Sequence, residues 1–255
     1  MDQINLIIEL ILVILFGAIF GSYATLFAYR LPRNESCFGR YFGPKSRCPN
    51  CQSTIITRDL IPLFNWLFTL GSCRFCKTKI PRIHLFIELT TTLLFLACYF
   101  RFGLSENFII YGLISVGLVI LLATDFTHRV FNKEILIYIL ILIIINRVMR
   151  DQTSIYIVYS LCYGVIASTL FYNLIGLKFP EFFSNKNQLF DYLKFILVVA
   201  VALNYLQFIF YFITVLLILT ILIAEHFFTK KNKISFGYAL IIPFIGFYII
   251  TSINF

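Results

Sequence analysis

The sequence predicts an all-α polytopic membrane protein of about eight transmembrane helices, with one long polar loop between the first and second. Three observations carry this. Of the 255 residues, 60% are apolar and only 13% charged, with 30 Phe, far from the mix of a soluble domain. Apolar runs of spanning length recur along the whole chain, and an apolar run crosses lipid as a helix because a helix satisfies its own backbone. The polar loop holds two Cys-x-x-Cys pairs, Cys48-Pro49-Asn50-Cys51 and Cys73-Arg74-Phe75-Cys76, twenty-one residues apart.

The first apolar run covers Ile4 to Tyr29, and its cations, Arg30 and Arg33, follow it. That order predicts a retained span with its N-terminus outside rather than a cleaved signal peptide. Gly17 and Gly21 form a small-xxx-small pair suited to close helix packing, and Glu9 lies near the outer end, within reach of headgroups or water. The loop runs from Arg30 to His84, and its segment Asp59 to Leu67 is amphipathic enough to lie on a membrane surface. Further spans are expected over His84–Tyr99, Phe108–Thr124, Val130–Ile145 and Ile155–Leu177. Tyr192 to Phe228 would reach roughly 55 Å as one helix against a hydrocarbon core of about 30 Å. It therefore reads as two spans with a turn at Asn204 to Gln207. The last span covers Phe236 to Ile253.

The formal net charge is +9, which could suggest nucleic acid. Its distribution argues against that partner: the cations sit in short connections between apolar runs. With the N-terminus outside, eighteen of the 21 Lys and Arg fall on the cytoplasmic side and only Arg101, Arg147 and Arg150 outside. The positive-inside rule selects that orientation, with both termini outside.

Two Cys-x-x-Cys pairs at this separation have the spacing of a four-thiolate zinc site made of two tight knuckles. Cys48, Cys51, Cys73 and Cys76 are the expected ligands. With no open position for water, the Zn2+ would be structural. Two disulfides or four unrelated thiols are the alternatives. Cys37, Cys98 and Cys162 show no pairing pattern.

On this topology two carboxylates share the cysteine loop's side of the membrane. Asp125 closes the third span, in Ala123-Thr124-Asp125-Phe126-Thr127, and Asp191 opens the sixth, in Gln188-Leu189-Phe190-Asp191-Tyr192. Acidic residues at a lipid border are costly and point to function, although each could be an end-of-helix residue solvated at the interface. Two carboxyls sharing one proton can hydrolyse a peptide bond, one activating water and the other protonating the leaving amine. Helix dipoles would favour the ionised form at Asp191 and the protonated form at Asp125. His84, His128 and His226 read as interfacial residues.

Several segments together resemble the type IV prepilin peptidases, the bifunctional leader peptidase and N-methyltransferase family of bacterial inner membranes. They are Gly21-Ser22-Tyr23-Ala24-Thr25-Leu26-Phe27-Ala28-Tyr29-Arg30-Leu31-Pro32, the cysteine tetrad, Asp59-Leu60-Ile61-Pro62, Ile87-Glu88-Leu89 and Ile242-Pro243-Phe244-Ile245-Gly246-Phe247. The resemblance implies three parts: a first transmembrane helix (1–29), a cytoplasmic zinc loop (30–84) and a seven-helix transmembrane peptidase domain (85–255). It implies Asp125 and Asp191 as catalytic residues of an aspartic endopeptidase. The substrate would be a prepilin or pseudopilin precursor, cut after a glycine at the cytoplasmic face. The new N-terminal residue, commonly Phe, would be methylated with S-adenosyl-methionine, for which no binding motif is visible in the sequence.

The chain departs from the family around Asp191, where both glycines of a GxGDxK motif are replaced. Phe131 stands where a proline usually follows the first aspartate, and Thr25 replaces an asparagine. Glu181 is the nearest alternative carboxylate. Two other classes fit the residues: a non-catalytic membrane scaffold whose zinc loop recruits a pilus or secretion partner, and an intramembrane aspartyl protease without methyl transfer.

Overall fold

A computed structural model describes residues 3–37, 46–56, 59, 62, 64–150, 154–179, 183, 186–229 and 236–250. The helices are α1 (Gln3–Arg30), α2 (Phe64–Thr69), α3 (Arg82–Phe102), α4 (Glu106–His128), α5 (Lys133–Met149), α6 (Ser154–Phe171), α7 (Lys186–Ala202), α8 (Tyr205–Thr229) and α9 (Gly237–Ile245). Leaving out the six-residue α2, eight helices among the described residues fall on the eight apolar runs. Five of the spans they form are long and apolar enough to cross a membrane by length and composition. Among the described residues the only strand-like pairings are two isolated bridges in the cysteine loop. The all-α membrane class holds. Glu181 and the residues after Ile250 lie outside the described residues, as do Leu60, Ile61 and Leu63 of the amphipathic segment.

Contacts divide the chain into two compact units, Met1–Ala123 and Thr124–Phe255. In the first, α1 packs along α3. Val13, Gly17, Gly21, Ala24 and Ala28 make a buried stripe of mostly small residues at helical spacing. A Cβ at Gly17 would sit 2.8 Å from the Thr92 Cα, and one at Gly21 would sit 2.8 Å from the Glu88 Cα. The two backbones touch there, which is what small-xxx-small pairs permit. Glu9 does not rely on headgroups, because the Tyr99 hydroxyl of α3 donates to its Oε2 at 2.7 Å. Pro32 has no N–H to continue α1. The chain instead makes a 3-10 turn over Leu31–Arg33 and stops at Asn34, in the left-handed region at φ 54°.

The second unit is built around α7, which packs against α5, α6, α8 and α9. Its completely buried residues, Tyr192, Phe195, Ile196, Val199 and Ala200, recur at three- and four-residue steps, the pattern of a helix seated in a core. The last carbonyls of a helix have no partners within it, and here side chains cap them. Buried Arg147 donates to Val201 O and Leu203 O, and the Tyr163 hydroxyl donates to Ala200 O and Leu203 O. The expected turn falls at Leu203–Asn204, between α7 and α8. In α9, Pro243 interrupts the hydrogen-bond ladder, and the chain continues as a π-helical turn over Gly246–Ile250.

Candidate functional sites

The first site is the thiol cluster of the first unit. Each Cys-x-x-Cys folds as the same knuckle. Gln52 N–H donates to Cys48 O at 2.9 Å, and Lys77 N–H donates to Cys73 O at 3.0 Å. The fifth residue of each knuckle takes the left-handed conformation, Gln52 at φ 57° and Lys77 at φ 59°. The sixth closes it: Cys48 N–H donates to Ser53 O, and Cys73 N–H to Thr78 O. One antiparallel bridge flanks each knuckle, Arg47 with Thr54 and Ser72 with Lys79.

The knuckles face each other. Cys48 Sγ lies 3.7 Å from Cys76 Sγ, Cys51 Sγ lies 4.0 Å from Cys73 Sγ, and all four sulfurs lie within 4.8 Å of one another. All four are free thiols in this structure. Tetrahedral thiolate–zinc bonds of about 2.3 Å put sulfurs about 3.8 Å apart, so the residues present fit a closed metal site such as zinc.

Hydroxyls prepare the sulfurs for that role. Thr78 Oγ1 lies 3.3 Å from Cys76 Sγ and accepts the Asn50 side-chain amide of the opposite knuckle at 2.8 Å. Hydrogen bonding from Thr78, helped by Asn50, lowers the Cys76 thiol to about 5. Ser53, with Oγ 2.7 Å from Cys51 Sγ, likewise lowers Cys51. Within the second knuckle, Arg74 grips the buried Asp59 with two hydrogen bonds, of 2.9 and 2.6 Å.

The second site lies wholly in the second unit. Asp125 is in the last turn of α4 and is completely buried. Its carbonyl accepts the N–H of Arg129, whose φ of 55° ends the helix. Its carboxylate is caged by distant segments. The Tyr192 hydroxyl of α7 donates to Oδ1 at 2.7 Å, and the Gly237 N–H at the start of α9 donates to Oδ2 at 3.0 Å. Gln188, one turn before Tyr192, donates its amide to the Tyr192 oxygen at 2.7 Å.

Two aromatic neighbours fix that tyrosine. The Phe131 ring meets it edge-on at 4.9 Å, and Phe183 lies 6.1 Å away. Only glycine fits at position 237: a Cβ there would run into the Asp125 carboxylate and lie 2.9 Å from the Phe131 ring. Phe126, Thr127 and His128 are exposed, so the caged carboxylate lies less than one turn below the helix end.

Asp191 sits differently. It is the sixth residue of α7 rather than the first, beyond the turn over which a helix dipole acts. Its Oδ1 pairs with Lys194 Nζ at 2.8 Å. The structure thus brings Gln188, Tyr192, Phe131 and Gly237 to Asp125, none of them expected as site residues. A repeated Cys-x-x-Cys-x-Ser/Thr pattern could have flagged Ser53 and Thr78. No local pattern marks Tyr192 or Gly237.

Comparison with known proteins gives the relatives. Residues 15–102 match the bacterial peptidase A24 N-terminal domain. The chain is similar to the prepilin leader peptidase/N-methyltransferase of Bacillus subtilis (strain 168), 34% identical over 143 residues, which covers 56% of each chain. It is similar to the type 4 prepilin-like proteins leader peptide-processing enzyme of Escherichia coli O78:H11, 37% identical over 86 residues, or 34% of this chain and 32% of that one. A prepilin leader peptidase/N-methyltransferase of Myxococcus xanthus is 34% identical over 113 residues, or 44% of this chain and 32% of that one. The chain therefore spans about half of the first relative and a third of the other two. No solved structure matches. The resemblance to the prepilin peptidases read from the motifs is borne out over these matched stretches.

Proposed function

We propose that this chain is a membrane aspartyl endopeptidase. It removes the leader of type IV prepilins or pseudopilins at the cytoplasmic face of a bacterial inner membrane and N-methylates the new N-terminal residue. The observation that carries the reading is the buried Asp125 carboxylate, with a donor at each oxygen, just below the end of its helix. A carboxylate buried at the border of lipid is costly and points to function.

In the proposed reaction, Asp125 and Asp191 share the proton traffic; Asp191 is paired with Lys194 in this structure and must leave that pair to act. One carboxylate takes a proton from water as the oxygen bonds to the scissile carbonyl carbon. The other carboxyl delivers its proton to the leaving nitrogen as the C–N bond breaks. Cys48, Cys51, Cys73 and Cys76 would hold Zn2+, which ties the two knuckles together and takes no part in cleavage. S-adenosyl-methionine would supply the methyl group. Support comes from the names of the relatives, which are peptidases and methyltransferases of prepilins.

The test uses the full-length protein in liposomes and a synthetic precursor, a short leader ending in Gly followed by Phe and an apolar segment. Cleavage at the Gly–Phe bond is expected, with methylated Phe when S-adenosyl-methionine is added. Cleavage without methylation would favour a protease alone, and neither reaction would favour the scaffold. Orientation is tested separately in intact cells. An impermeant thiol probe should reach cysteines placed at Gln152 and Phe255 and miss those at Ser36 and Thr229.

A further inference from the structure

The geometry points to Tyr192, oriented by Gln188, as the positioning residue that keeps Asp125 in the water-activating role. This rests on the peptidase reading above. The Tyr192 oxygen accepts the Gln188 amide, so its own proton is committed to Asp125 Oδ1. The Gly237 N–H occupies Oδ2. Both donors leave Asp125 as the acceptor in its cage, suited to take a proton from water rather than to give one. In a buried setting each bond of such a chain strengthens the next.

Every link of this hydrogen-bonded relay is buried. Tyr192 and Asp125 are fully buried, Gln188 is 4% exposed, and Phe131 packs edge-on against the phenol ring. Gln188 and Tyr192 are one turn apart on α7, so both project on one face. That face looks at Asp125. Asp191, about 100° around the same helix, instead meets Lys194 at 2.8 Å. The replacement of both glycines before Asp191 therefore coincides with a hydroxyl, one residue later, in direct contact with the first aspartate.

The experiment measures kcat and KM for the same synthetic precursor in liposomes, for Tyr192→Phe, Gln188→Met and Asp125→Asn. Tyr192→Phe keeps the ring and its packing and removes one hydrogen bond to a carboxylate. A fall of roughly ten- to hundredfold in kcat is expected, with KM, melting temperature and metal content unchanged. A loss that appears in KM or in melting temperature alone would mark a packing role and overturn the inference. Wild-type cleavage by Tyr192→Phe with inactive Asp125→Asn overturns it while leaving the peptidase reading intact. Wild-type cleavage by Asp125→Asn overturns both. Should Tyr192→Phe fail to fold, Gln188→Met reads the same chain: a severalfold loss in kcat supports it, and no loss overturns it.

Discussion

The thiol cluster and the carboxylate cage are built by opposite strategies. Four sulfurs of the first unit come from 29 consecutive residues, Cys48 to Cys76, in two copies of one local turn. The cage of the second unit draws on α4, the connection to α5, α7 and the first residue of α9, with Gly237 112 positions after Asp125. The first needs only local backbone geometry, and the proposed Zn2+ would close it. The second exists only when α7 is seated in its core, its last carbonyls capped by Arg147 and Tyr163. A local site survives disturbance elsewhere; a distributed one reports on the whole unit.

The largest effect expected from this contrast is at Gly237. In Gly237→Ala the new methyl collides with the Asp125 carboxylate, so cleavage should drop by a hundredfold or more, about the scale of lost acid–base assistance. Zinc content should stay unchanged. A kinetic assay paired with elemental analysis checks both halves, and a loss of metal in this variant would break the separation of the two sites.

Next comes Cys73→Ser. Metal should be lost, and the segment from Arg47 to Lys79 should become open to trypsin, because the ion closes the loop between the knuckles. Limited proteolysis followed by mass spectrometry reads this out, and the α7 region should stay as resistant as in the wild type.

A smaller change belongs to Thr78→Val, which keeps the side-chain shape and removes the hydroxyl beside Cys76. Zinc affinity should fall by about ten- to a hundredfold, as for other groups that orient metal ligands. Competition with a chelator measures it. Ser53→Ala should act in the same direction at Cys51.

The same contrast explains what could be read from the residues. Cys-x-x-Cys spacing is a local code, so the four-thiol cluster was legible, as were eight apolar runs and the break before α8. Gly17 and Gly21 were legible as packing residues because their spacing is that of one helix face. Tyr192 was not. An aromatic residue on an apolar helix carries no signal until the fold shows that its hydroxyl, not the carboxylate beside it, meets Asp125. Gly237 carries no signal in the sequence for the same reason. The dipole argument for Asp191 failed on a boundary: α7 begins at Lys186, five residues earlier than Asp191.

The most direct measurement is mass spectrometry of the synthetic precursor after incubation with the full-length protein in liposomes, wild type against Asp125→Asn. The wild type should release the leader at the Gly–Phe bond, and Asp125→Asn should leave the precursor uncut while holding its zinc and its melting temperature. Equal cleavage by the two proteins would contradict the role of the caged carboxylate.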